Sequence, residues 1–292
     1  MKKMNCFWSM MLMLSACAAC STESWDEWDN GENSYNNSTT TSDDDNKPTK
    51  TTGDDVASGS STAGDVTKFT VELNKSAISE TQKVDTGDDD YIENSSFAKT
   101  ITITFSKTGS ATVSGDDAGI VAINGNDVVA TNTTETVIKY VLTGETTDGF
   151  FKLYSSKKQA IVLNGVSITN PDGAAINNQS KKRTFIVLND GTKNYLTDGT
   201  KYSDATDSED MTACFFSEGQ LIFSGSGYLE VDANCKAGIR SDDYVRTMPN
   251  TNIYVDASSG NGIRGNDAVI VTGGVINVNI TGTADKGIST DG

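Results

Sequence analysis

The chain has no histidine among its 292 residues and only 3 prolines. Without imidazole there is no Ser-His-Asp or Cys-His catalytic apparatus and no imidazole-ligated metal centre, because each needs a group that titrates near neutral pH. Positive charge is scarce as well: 23 Lys and Arg stand against 40 Asp and Glu, a formal charge of -17. That balance excludes nucleic acid as a partner, since phosphate backbones are held by surplus Lys and Arg. Tryptophan is confined to Trp8, Trp25 and Trp28, ahead of any segment that reads as folded. The hydrophobic fraction is only 36%. A chain of this length can bury a large core, and the lean composition fits an all-β fold joined to a long unstructured part.

What is present begins with an address. Met1-Lys2-Lys3 and the apolar run from Met4 to Leu14 form the charged head and short apolar stretch of a secretion signal, too short to span a bilayer. Leu14-Ser15-Ala16-Cys17 then matches a bacterial lipobox, so the expected mature N-terminus is a lipidated Cys17. Cleavage before Cys20 fits less well, and ordinary secretion is the plainer alternative. An acyl anchor of this kind attaches a chain to the membrane without spanning it. The expected location is the bacterial cell envelope, facing outward. From Ser21 to Asp65 there are 11 acidic and 2 basic residues and almost no aliphatic side chains. Such a segment cannot offset its chain entropy and is expected to be a disordered, extended tether.

Repeats set the architecture. Residues 66–141 hold alternating runs such as Thr100-Ile101-Thr102-Ile103-Thr104-Phe105, punctuated by Gly, Asn and Asp, the mark of period-two strands. Further on, Gly238-Ile239-Arg240-Ser241-Asp242-Asp243, Gly262-Ile263-Arg264-Gly265-Asn266-Asp267 and Gly287-Ile288-Ser289-Thr290-Asp291-Gly292 recur at spacings of 24 and 25 residues. The same step equates Phe215, Ile239 and Ile263, then Leu221, Val245 and Val269, then Leu229 and Val231 with Ile253 and Val255. A fixed period with apolar residues at several equivalent places is what a stack of coils demands. The best fit is a right-handed parallel β-helix of about 24 residues per turn; a two-sheet sandwich with coincidental spacing is the competitor. The glycine opening each motif suits a corner of positive φ. Phe215 follows Ile176 by 39 residues, which predicts an inserted loop around Thr192 to Met211. The expected organisation is therefore signal 1–16, lipidated N-terminus and tether 17–65, a β-rich region 66–135 and the β-helix 136–292. Ending on Asp291-Gly292 leaves an open sheet end, so the β-helix is expected to be truncated.

The succession Tyr140-Val141-Leu142-Thr143-Gly144, Leu163-Asn164-Gly165-Val166-Ser167-Ile168, Asp172-Gly173-Ala174-Ala175-Ile176-Asn177-Asn178 and Asp190-Gly191-Thr192-Lys193-Asn194-Tyr195-Leu196-Thr197-Asp198-Gly199 resembles a bacterial family of carbohydrate-binding domain proteins. The Gly-Ile-Arg corners match it too, and the likeness runs from about Thr136 onward. The resemblance implies a pectate-lyase-like parallel β-helix that binds calcium and plant-wall polysaccharides, cellulose and polygalacturonate among them, without established lyase activity. Many relatives carry His at some corners; here Ala237 and Asn261 stand there.

The corners also have chemistry of their own. Asp242 with Asp243, Asn266 with Asp267, and Asp291 fall at near-equivalent places on successive turns, where aligned carboxylates repel unless a cation lies between them. Calcium, which takes six to eight oxygens in irregular geometry, is the expected occupant. A ladder of Asx turns capping local N–H groups is the competing reading, with Arg240 and Arg264 neutralising the row. Asp204, Asp207, Glu209 and Asp210 form a second acidic cluster that reads more simply as a solvated loop. The expected sugar contacts are Tyr244, Arg240 and Arg264. Tyr244 is equated with Ala268, however, so it belongs to no aromatic stripe, and a lone Tyr packs more often than it serves as a platform. Surplus negative charge repels a polyuronate unless metal ions bridge it, and the repeat region has no Trp and no repeated aromatic stripe, so the site is expected to be polar and metal-assisted rather than a stack of aromatic rings.

Polysaccharide lyases on this fold need an Arg or Lys base beside calcium, which Arg240 and Arg264 could supply. Their repeated position marks scaffold, and a non-catalytic glycan-binding module ranks ahead of an adhesin or stalk and of a lyase. Cys214 and Cys235 are 21 residues apart, out of step with one turn, and read as thiols.

Overall fold

The computed structural model describes residues 68–72, 87–203, 209–282 and 286–291; the signal, Cys17, the tether, Asp204 and Asp207 lie outside them. The described chain is an all-β parallel solenoid of about 6 turns, about 24 residues apart. Each turn contributes to three faces. The first face holds β2 (Lys99–Phe105), the leading halves of β6 (Ile138–Thr146) and β8 (Gln159–Asn170), then β10 (Thr184–Leu188), β13 (Leu221–Ser224), β16 (Tyr244–Thr247) and β19 (Ala268–Val271). The second holds the trailing halves of β6 and β8, then β11 (Lys193–Asp198), β14 (Tyr228–Ala233), β17 (Asn252–Ala257) and β20 (Val275–Ile280). The third holds β5 (Asp127–Asn132), β7 (Phe150–Ser155), β9 (Ile176–Asn178), β12 (Ala213–Ser217), β15 (Ala237–Ser241), β18 (Ile263–Gly265) and β21 (Ile288–Thr290).

Inner side chains stack in columns because parallel pairing repeats the same register on each turn. Ile101, Tyr140, Ile161, Ile186 and Phe223 form one column. Ile168, Leu196, Val231, Val255 and Val278 form another. Val128, Phe151, Ile176, Phe215, Ile239 and Ile263 form the third. None of these side chains is more than 1% exposed, and the equivalences read from the 24-residue step are all realised as paired residues.

Three features depart from the sequence reading. Parallel pairing starts before residue 136: β2 runs parallel to β6 and β5 to β7, so the β-rich N-terminal stretch supplies an opening turn of the solenoid. Antiparallel pieces flank it, β3 (Thr112–Ser114) on β2 and β4 (Val121–Asn124) on β5, while β1 (Lys68–Glu72) pairs antiparallel with β20 on the last turn. Secondly, the inserted loop is shorter than expected, because 193–198 form a strand of the second face and leave residues 199–212 as the insertion.

Thirdly, the motif glycines do not need positive φ, which is found instead at positions such as Gly144 (φ 82), where β6 turns from the first face to the second. Gly238 and Gly262 are glycines for lack of room. A Cβ on Gly238 would lie 2.3 Å from Val255 Cγ1, and one on Gly262 would lie 2.2 Å from Val278 Cγ1. There the third-face strand passes directly over inner valines of the second.

Residues 87–98, with a short 3-10 turn at Ile92–Asn94, lie across the outside of the first face. The outward residues there, Ala160, Phe185 and Ile222, are apolar and at 0% exposure, packed with Tyr91, Ile92 and Phe97. Phe97 meets Phe185 edge-on at 6.1 Å. Charge holds this strap in place: Asp90 accepts from Arg183 Nε at 2.8 Å and from Arg246 Nη1 at 2.9 Å, and Asp88 accepts from Arg246 Nη1 at 2.8 Å. Cys214 is a buried thiol and Cys235 a half-buried one, not bonded to each other; burial raises the Cys214 pKa.

Candidate functional site

The corner between the third and first faces carries the acidic residues. Successive turns hand the chain across it by the same backbone bonds: Glu218 N–H to the Asn178 carbonyl (2.9 Å), Asp242 N–H to Ser217 (2.9 Å) and Asn266 N–H to Ser241 (3.0 Å). Glu218, Asp242 and Asn266 therefore share one column. Asp291 continues it, its N–H on the Asn266 carbonyl at 3.1 Å. Asp243 and Asp267 form a second column, with Asp267 N–H on the Asp243 carbonyl at 3.0 Å.

The expected row is thus assembled, and most of it is internally satisfied. Asp242 Oδ1 accepts from Asn266 Nδ2 at 3.1 Å and pairs with Arg240 Nη2 at 2.9 Å. Arg264 pairs with Asp291. Asp243 accepts from its neighbour's N–H, Tyr244 N, at 2.9 Å and from Gln220 Nε2, so this carboxylate does the local capping that the Asx-turn reading describes. Burial is the main reason its pKa rises, helped by Asp267 and opposed by the Tyr244 N–H.

Repulsion is concentrated one turn earlier. Asp210, Glu218 and Asp242 bring carboxylate oxygens within 4.8 Å of one another. Burial raises the Glu218 pKa, and Asp242 and then Asp210 raise it further, against Lys181 at 3.8 Å. Glu218 was legible in the sequence, since stepping back 24 residues from Asp242 lands on it. Asp210 was visible only as one acid of the loop read as solvated, because the insertion delivers it to the corner. The insertion is fastened across the third face by Glu209, which pairs with Lys152 at 3.1 Å and accepts from the Tyr154 phenol, and by the Asp210 carbonyl, which accepts from Gln179 Nε2 at 2.7 Å. Glu209 is thereby committed to a structural contact, and Asp210 joins the corner.

Tyr244 stands in register with Ala268 as expected, but its ring is part of the cluster beneath the strap and its phenol donates to Asp90 at 2.6 Å. It closes the strap and offers no bare ring to a sugar. Arg240 and Arg264 stack in register on adjacent turns, each tied to an acidic side chain.

A sequence model of the carbohydrate-binding domain-containing proteins matches residues 124–292. The chain belongs to this family. A family relative from Acetivibrio thermocellus, named a carbohydrate-binding domain-containing protein, is 34% identical over 145 residues, covering 46% of this chain and 50% of its own length. The chain thus spans about half the length of the curated relative it matches. The solved structure of the polysaccharide lyase-like protein from C. thermocellum, a gadolinium derivative, has a TM-score of 0.52 at 24% identity, covering 66% of this chain and 92% of that one. The likeness to it is one of fold.

Proposed function

We propose that this protein is a non-catalytic polysaccharide-binding module tethered to the cell envelope through Cys17, that it takes plant-wall glycans such as cellulose or polyuronate, and that calcium assists it at the acidic corner. Membership of the carbohydrate-binding domain family supports polysaccharide as the partner. The observation that carries the calcium reading is the convergence of Asp210, Glu218 and Asp242 within 4.8 Å. A hard cation with oxygen ligands is the chemistry such a donor set suits, and it would relieve the repulsion that raises the Glu218 pKa. Asp243, Asn266, Asp267 and Asp291 extend the same edge as further oxygen donors. The absence of catalysis is supported by Arg240 and Arg264, whose guanidinium groups are held by Asp242 and Asp291 and repeat from turn to turn.

The test is polysaccharide pull-down and thermal melting of the full chain, with calcium and with chelator. Calcium at about a hundredfold over its Kd stabilises a folded site by about 2.7 kcal/mol and should raise Tm by several degrees. In Glu218→Gln that shift should vanish. Metal requires the ionised carboxylate, so calcium affinity should weaken as pH falls through the raised Glu218 value. No calcium-dependent shift in the native chain would remove the metal from the reading. Appearance of unsaturated uronide from polygalacturonate would replace binding with lyase activity.

A further inference from the structure

Two of the three faces have buried outward side chains. On the first, Ala160, Phe185 and Ile222 lie at 0% exposure under the strap; on the third, Asn177 is 1% exposed and Phe216 0%. The second face differs. Among the described residues no segment packs on its outer side, and its outward positions on β11, β14 and β17 all keep access to solvent.

Those positions have a definite pattern. Tyr195, Glu230 and Tyr254 are in register on three consecutive turns. Tyr228 lies two residues before Glu230, its phenol donating to Glu230 Oε2 at 2.9 Å and its ring meeting Tyr195 edge-on at 6.4 Å. One carboxylate is therefore surrounded by three tyrosines, of which Tyr195 is 38% exposed. Beside this column runs another, in which Asp232 and Asp256 are in register on adjacent turns. Among the described residues none of Glu230, Asp232 and Asp256 is in a salt bridge. Burial, then Glu230 and Asp256, raise the Asp232 pKa.

Apolar ring faces next to a row of hydrogen-bond acceptors match a pyranose, which presents C–H faces and hydroxyl edges. Carboxylates outside any salt bridge select against an anionic chain and accept from hydroxyl donors, as Glu230 already does from Tyr228 and Asp256 from the Asn279 amide at 3.0 Å. We infer that the outer second face, through Tyr195, Tyr228 and Tyr254 with Glu230, Asp232 and Asp256, is the binding surface for an uncharged polysaccharide lying along the solenoid axis. This rests on the polysaccharide-binding reading and locates it away from the calcium corner.

The experiment compares binding of the full chain to an insoluble neutral glucan and to polygalacturonate, with and without chelator. Tyr195→Ala combined with Tyr254→Ala should weaken neutral-glucan binding by about tenfold or more, with Tm nearly unchanged, while Tyr254→Phe keeps it. In the unaltered protein, bound glucan should shield Tyr195 and Tyr254 from nitration. Unchanged glucan affinity in the double variant, or nitration unaffected by glucan, overturns this assignment and leaves the polysaccharide reading standing. Binding to polygalacturonate alone overturns it too. A native chain that binds no polysaccharide overturns both.

Discussion

The first and second faces are drawn from the same turns of the same solenoid, yet one is roofed and the other is bare. Their inner columns are both apolar and fully buried, the second aliphatic and the first with Tyr140 and Phe223 among its isoleucines. The difference lies in the alternate residues that point outward. On the first face these are Ala160, Phe185 and Ile222, which would expose apolar surface without residues 87–98 above them. On the second they are Lys193 and several Tyr, Glu, Asp, Thr and Asn, which water accepts. Inward residues thus decide that the chain coils, and outward residues decide what each face must meet.

The largest expected effect comes from cutting into the roofed face. Phe185→Ala should cost about 3–5 kcal/mol in denaturant unfolding, the range for a buried aromatic. Tyr195→Ala, on the bare face, should stay within about 0.5 kcal/mol; equal losses would erase the distinction between the faces. Next in size is the ionic fastening. Asp90→Ala removes the acceptor shared by Arg183, Arg246 and Tyr244 and should cost about 2 kcal/mol, with faster amide exchange over 87–98 and little change over the second-face strands β14 and β17.

Acid should separate the faces more gently. The Asp88 carboxyl is held below its ordinary 3.8 chiefly by the Asp90 N–H and also by Arg246. A depressed folded value means that its contribution is complete above pH about 4 and is lost as pH falls through that value. The strap should therefore loosen in acid before the solenoid melts, visible as amide exchange confined to 87–98. Glu218 has the opposite sign: its value is raised, so the stability linked to its protonation is present in acid and lost as pH rises. Glu218→Gln should slightly stabilise the metal-free chain near neutral pH in thermal melts, and no gain would mean that the corner is already relieved.

Much of this was legible in the sequence. The 24-residue step named the paired residues of three faces, because a parallel solenoid writes its register directly into the chain, and it assembled Asp242, Asn266 and Asp291 as a row. The step also explains Glu218, which lies one period earlier. The partnership of Asp210, named only within the acidic loop, with Glu218 and Asp242 escaped because an insertion obeys no period. The tyrosine group escaped for a related reason. Tyr195 and Tyr254 are equivalent only across the turn that holds the insertion, where Tyr195 pairs with Glu230 rather than with a residue one 24-residue step away, and Tyr228 is offset from both by two places, so no single spacing exposes them. Tyr244 was found at the right place in the register, but what covers it comes from residues more than a hundred positions away.

By itself the sequence determined the period, the inner columns and the acidic row of Glu218, Asp242, Asn266 and Asp291, since each depends only on which residues recur at about one step and on the pairing distance between neighbouring turns. Only the tertiary structure decided which faces are covered. The strap and the insertion return to the solenoid from outside the repeat, where long-range packing of apolar side chains and charge pairing, not periodicity, fix where a segment comes to rest.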